Sequence, residues 1–322
     1  MTGHGPADPF PFFVGCGRSG TTLLRAMFDS HPLMAVPSES YFVGNLGRHA
    51  SGYSAESGFD RSRFLDDLLG IEWAQQWGLQ RAELEAAMDA APPENFAAAV
   101  RCVFRCYADK AGKPRYGDKT PNYVARMPLI AGLFPEARFV HIIRDGRDVA
   151  TSFLRVPFGP ETAAEGAIFW RRRVTNGRAT GRRLGPDRYR EVRYEELVEN
   201  PRGTLGQLCA FVRLDFDEAM LDYTARADEL MSTGRPGAHV HLRLAPTKGL
   251  RDWRTEMSRA QVTRFELIAG DLLDELGYER ATRRRRGAAG VRTGLTLAVR
   301  TGVNARQARR RLTAGTGSKR GT

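Results

Sequence analysis

Apolar positions along this chain fall into two kinds of spacing. The run Phe10-Pro11-Phe12-Phe13-Val14 is continuous and predicts a buried strand, and Leu23, Leu24, Met27 and Phe28 follow it at helical spacing. A second unbroken run, Phe139-Val140-His141-Ile142-Ile143, has the form of a parallel strand covered on both faces. Helical periodicity fills residues 61–110 (Phe64, Leu65, Leu68, Leu69; Leu84, Met88; Phe96, Val100, Phe104), with Pro92-Pro93 expected to start the last helix. Asp145–Leu154, a long helix from Thr162 to Arg183 that is basic on one side, Leu205–Val212 and Ala260–Leu276 also read as helices. Tyr189–Val192 reads as a further strand. Residues 31–59, rich in glycine and containing Pro32 and Pro37, are expected to form an irregular loop region at the sheet edge. Strands alternating with helices predict an α/β fold: a parallel β-sheet flanked by helices on both faces.

Charge changes this picture mainly at one end. The 322 residues carry a formal net charge of +12, yet residues 281–322 hold 12 Arg and Lys and no Asp or Glu. Residues 1–280 therefore contain 37 basic and 37 acidic side chains and are formally neutral. The expected organisation is a flexible N-terminus (1–9), one α/β domain (10–280) and a basic, disordered tail (281–322). Three readings of the tail stay open: a solvated appendix, a weak amphipathic helix over Val291–Leu312 touching an anionic membrane surface, and nucleic-acid binding. Nucleic acid is the least favoured, because no aromatic side chain interrupts the tail's cations. Cys16, Cys102, Cys106 and Cys209 lack zinc-ligand spacing and are expected as reduced thiols. No signal-peptide pattern and no apolar run of ~20 residues is present, so a cytoplasmic protein is expected.

The most informative stretch is residues 14–22, which place Gly15, Gly17, Arg18, Ser19, Gly20, Thr21 and Thr22 between the first strand and the first helix. Strand, glycine-rich turn and helix together build a phosphate cradle, in which backbone N–H groups and the helix dipole converge on an anion. Gly15 and Gly20 have the spacing of the G-x-x-x-x-G-K-[ST] nucleotide-binding pattern, but Thr21 stands at the lysine position and the cation moves into the loop as Arg18. Such a loop suits a 5′-phosphate bearing a transferable group better than a magnesium-bound triphosphate.

Four further segments carry candidate chemistry. Arg144 leaves the carboxyl end of the second apolar strand, where open α/β sheets bind ligands, and Ser152 follows eight residues later; an Arg–Asp surface network through Asp145 and Asp148 is the alternative. Lys248, Gly249, Arg251 and Trp253 form a basic turn with an adjacent aromatic. Gly117–Tyr123 reads as a turn that could aim Lys119 into a site. Glu39 is the one carboxylate in the stretch Pro37–Tyr41. Taken singly, Lys119 and Glu39 would be read as solvated surface charges.

In this order the segments resemble the sulfotransferases that use 3′-phosphoadenosine-5′-phosphosulfate (PAPS). The resemblance implies a P-loop-like, three-layer sulfotransferase fold. Gly17–Thr22 is similar to the family's 5′-phosphosulfate loop, with Arg18 at its lysine position. Arg144 and Ser152 have the Arg-x7-Ser spacing of its 3′-phosphate motif, and Tyr194 falls in a Tyr-Glu-Glu-Leu segment similar to the one that lies near the adenine. Lys248-Gly249 to Arg254 resembles the closing loop but is one residue short, which leaves open the cation that meets the 3′-phosphate. Glu39 stands where several branches put a catalytic glutamate. The implied activity is transfer of a sulfuryl group from PAPS, without a metal, to a small-molecule, glycolipid or saccharide acceptor. In it Glu39 serves as base, and Arg18 and Lys119 stabilise charge. A P-loop phosphotransferase and a catalytically idle PAP-binding protein are the alternatives. Oligomeric state is not legible.

Overall fold

In the computed structural model, which describes residues 8–55, 58–226 and 252–282, both apolar runs are strands of one sheet. The chain runs β1 (Phe10–Gly15), α1 (Thr21–Ser30), β2 (Met34–Ala35), α2 (Phe42–Leu46), β3 (Ser54–Ala55), β4 (Gly58–Phe59), α3 (Arg61–Leu69), α4 (Glu72–Gln75), α5 (Arg81–Ala90) and α6 (Phe96–Lys110). It continues through β5 (Arg115–Tyr116), β6 (Asp118–Lys119), α7 (Met127–Leu133), β7 (Ala137–Ile143), α8 (Gly146–Phe153), α9 (Ala163–Leu184), β8 (Tyr189–Arg193), α10 (Tyr194–Glu199) and α11 (Pro201–Val212). Helices Trp253–Glu256 and Arg259–Glu275 follow.

The main sheet has the order β6-β1-β7-β8 and every pairing is parallel. Side chains alternate across it. Phe10, Phe12 and Val14 of β1, with Phe139 of β7, enter one apolar cluster with α5 and α6. Phe13, Val140 and Ile142 enter the other, with Leu24, Met27 and Phe28 of α1 and Leu205 and Leu208 of α11. A strand buried on both faces has no polar side to display, which is why these runs read as unbroken.

Contacts divide the chain into two units: Met1–Arg144 with Arg173–Lys248, and Asp145–Arg172 with Gly249–Thr322. The first holds the sheet. In the second, Asp145 caps α8 by accepting from Arg147 N at 2.9 Å, and the fully buried Arg147 guanidinium pairs with Asp145 and Glu266 at 2.7 Å. The Arg147 guanidinium also stacks 3.7 Å from the Trp253 ring centroid, and Asp148 accepts from Trp253 N at 2.9 Å. The Arg–Asp network in this segment is thus buried, not a surface one.

Three local expectations need correction. Helix α6 starts at Phe96, not at Pro92-Pro93, because the Asn95 side chain accepts from Ala98 N at 3.0 Å and caps it there. Residues 31–59 are not wholly irregular: β2 pairs in parallel with β5, and α2 follows. Gly117–Tyr123 is not a simple turn, since Asp118 and Lys119 form an edge strand in register with Phe12 and Phe13. Two residues are too few for a periodicity signal.

Candidate active site

The cradle begins where β1 ends. A Cβ on Gly15 would lie 2.6 Å from the Ile142 carbonyl oxygen, so only glycine permits that approach of β1 to β7. Arg18 (φ 71°) and Gly20 (φ 93°) both take left-handed backbone, which turns the chain into α1. No side chain caps α1 at Gly20. Its first N–H groups and the positive end of its dipole therefore suit an anion. Ser19 is fully buried, its hydroxyl has no partner among the described residues, Thr21 is buried, and Gly17, Arg18 and Thr22 are half-buried.

Beside the cradle, Lys119 Nζ donates to Glu39 Oε1 at 3.0 Å, with side-chain exposures of 4% and 20%. Neither is a solvated surface charge. Strand register sets Lys119 next to Phe13, two residues before the cradle starts. Glu39 is held from both sides. Upstream, Arg25 Nε donates to the Val36 carbonyl at 2.9 Å and Val36 N donates to Asp29 at 2.8 Å. Downstream, Ser40 N donates to Thr120 Oγ1 at 3.0 Å, and the Ser40 hydroxyl meets the Tyr123 hydroxyl at 2.9 Å. Burial pulls the Lys119 ammonium below its ordinary value; Glu39 opposes that shift and the Arg25 charge adds to it. Burial likewise pushes the adjacent Asp118 carboxyl up to about 7, against hydrogen bonds from Ser40 and Thr120 and the Lys119 charge.

At the same carboxyl end of the sheet, β7 passes Gly15 at Ile142 and emerges as Arg144. The Arg144 guanidinium lies 4.4 Å from the Tyr194 ring centroid. That ring packs on Gly20, where an added Cβ would meet Tyr194 Cδ2 at 2.4 Å. Tyr194 thus touches the cradle with its ring and the strand-end arginine with its face, so Gly20, Tyr194 and Arg144 are brought together.

Ser152 is buried on α8 in the second unit. Lys248, Gly249 and Arg251, and the tail from residue 283, lie outside the described residues. Sequence reasoning missed three charged groups: Arg25, Asp118 and Arg173. Arg173 donates to the Asn122 carbonyl at 3.5 Å, and its charge acts on the buried Cys16 thiol, which burial pushes up to about 12. Each looks ordinary in the sequence, and only burial or contact singles it out. Among the described residues, no cluster of three or more His, Cys, Asp or Glu could hold a metal ion, and no helix is long and apolar enough to cross a membrane.

A glycine-rich strand–helix turn at the carboxyl end of a parallel sheet, with a carboxylate–ammonium pair and a strand-end arginine, is the arrangement of an α/β protein suited to hold an anion. The family model described as "Sulfotransferase family" matches residues 9–218, and the chain belongs to that family. It is 25% identical to nodulation protein NoeE of Sinorhizobium fredii, covering 91% of this chain and 72% of that protein. It is 24% identical to a putative protein-tyrosine sulfotransferase of Caenorhabditis briggsae, covering 83% and 88%. The sulfotransferase domain of the Synechococcus PCC 7002 olefin synthase superposes with a TM-score of 0.57 at 25% identity, over 86% of this chain and 97% of that one.

Proposed function

We propose that this sulfotransferase takes PAPS as donor and moves its sulfuryl group in line to a hydroxyl, or an amine, of a small-molecule, glycolipid or saccharide acceptor. The observation that carries the reading is the Glu39–Lys119 contact of 3.0 Å beside the cradle strand. It supplies, side by side, a carboxylate to take a proton and a cation to meet developing negative charge.

In the proposed reaction Glu39 accepts the acceptor's hydroxyl proton while the acceptor oxygen bonds to sulfur. The bond from sulfur to the 5′-phosphate oxygen breaks, and its electron pair leaves with adenosine 3′,5′-bisphosphate (PAP). Lys119, Arg18 and the N–H groups of Gly20, Thr21 and Thr22 stabilise the equatorial and leaving oxygens; one such donor in a water-poor site is worth roughly 3–4 kcal/mol. Arg144 suits the 3′-phosphate and Tyr194 suits the adenine, and Ser152 is a further candidate on its motif spacing alone. Lys248, Gly249 and Arg251 are further candidates for the nucleotide, on the motif resemblance alone. No step requires a metal.

A thermal-shift panel of PAP, PAPS, ATP and NAD tests the donor. PAP and PAPS should raise Tm while ATP and NAD do not. Protection by ATP alone would instead favour a phosphotransferase, and PAP binding without transfer to any acceptor an idle relative.

A further inference from the structure

A second cationic group lies on the Tyr123 side of Glu39. Gly44 of α2 packs on Tyr123 so closely that an added Cβ would meet Cε1 at 2.7 Å, and Gly44 N donates to the Tyr123 hydroxyl at 3.0 Å. That hydroxyl also meets Ser40, the residue after Glu39. Three arginines border this junction. Arg48 Nε donates to the Gly44 carbonyl at 3.4 Å, Arg126 Cγ lies 3.6 Å from where the Gly44 Cβ would stand, and Arg173 reaches the Asn122 carbonyl at 3.5 Å. Arg48 is exposed, and Arg126 and Arg173 are half-buried. All three belong to the sheet-bearing unit.

Two of them, Arg48 and Arg126, stand in stretches without other charged side chains. Arg48 is the only Asp, Glu, Lys or Arg in residues 40–55, and Arg126 the only one in residues 120–135. Among the described residues neither is within ion-pair distance of a carboxylate. Two arginines without a carboxylate partner among the described residues, both against Gly44 beside the Glu39 segment, suit a planar anion.

We propose that Arg48 and Arg126, with Arg173, form an acceptor subsite for an anionic group, so that the acceptor carries a carboxylate, sulfate or phosphate beyond the oxygen that receives sulfur. This rests on the donor reading above and assigns the other half of the same site. Neither Arg48 nor Arg126 is among the residues assigned to the donor.

The test requires no turnover. Protein saturated with PAP is titrated with 4-hydroxyphenylacetate, its amide and tyramine, which share a phenol and differ in charge, and binding is followed by ligand-detected NMR. The carboxylate should bind about tenfold more tightly than the amide, and tyramine most weakly. Arg48→Glu/Arg126→Glu should bring the carboxylate to the level of the amide or below. Arg48→Gln/Arg126→Gln should fall between, with PAP affinity by calorimetry held within about twofold in both. The subsite is overturned if the wild type binds PAP but ranks the amide or tyramine with the carboxylate, if it binds none of the three, or if the reversed double variant keeps the original order. A wild type that does not bind PAP defeats the donor reading instead, and the same titrations without PAP then decide the arginine cluster by the same ranking.

Discussion

Lys119 Nζ and Glu39 Oε1, 80 residues apart in sequence, meet at 3.0 Å with the lysine almost wholly buried. Each charge stabilises the other's ionised form where water cannot. Glu39→Gln should lower kcat by roughly 10²–10⁴ with a hydroxyl acceptor while PAP affinity by calorimetry holds. Retained turnover would remove Glu39 as base. Lys119→Met leaves a half-buried carboxylate without its partner and should cost stability as well as rate, with the double variant losing less stability than the two singles combined.

Arg18 holds a left-handed backbone that glycine adopts without strain. Arg18→Gly should therefore be more stable than Arg18→Ala by about 1 kcal/mol in denaturant melts, although both lose the loop cation and should lose about 100-fold or more in kcat. Equal stability of the two would mean that the turn relaxes when the arginine is removed.

Gly20 is tied to Tyr194 by contact and to its own φ of 93°. Gly20→Ala should displace the Tyr194 ring and with it the stack under Arg144, weakening PAP binding and lowering Tm. Tyr194→Leu keeps the Gly20 backbone relaxed but removes a cation–π contact worth about 0.5–2 kcal/mol. Calorimetry with PAP separates the two: an unchanged PAP affinity in both variants would dissociate Tyr194 from nucleotide binding.

Asp118 makes stability depend on pH in an unusual direction. Its folded-state carboxyl titrates at about 7 through burial, against ~3.9 in an unfolded chain. Between these values the folded state keeps a proton that the unfolded state has lost, so this group's contribution to stability falls as pH rises through the window. Asp118→Asn preserves the shape and removes the titration. Its Tm relative to wild type should rise from about pH 5 to about pH 8. A difference that stays flat across that range would show that Asp118 does not titrate there.

Much of the fold was legible because burial writes itself into composition. β1 and β7 have no exposed face, so Phe10–Val14 and Phe139–Ile143 read as unbroken apolar runs, and α1 and α6 carry their buried stripes at helical spacing. The cradle was legible because its glycines are spaced along one short stretch, although the atoms a side chain would strike there, on Ile142 and Tyr194, belong to distant segments. Strand β6 was not legible, since its two residues are strand only by virtue of pairing with Phe12 and Phe13.

The sequence by itself determined the strands β1, β7 and β8, the glycine spacing of the cradle and the order of the motif segments, because apolar runs and turn residues are written along short stretches of chain. Only the tertiary structure decided that Glu39 and Lys119 form a sheltered pair, that Tyr194 joins Gly20 to Arg144, and that Asp118 is buried, which pushes its carboxyl up. Ionic partners and dielectric surroundings come from segments tens of residues apart, and no spacing along the chain records which of its many charges folding will bring together or remove from water.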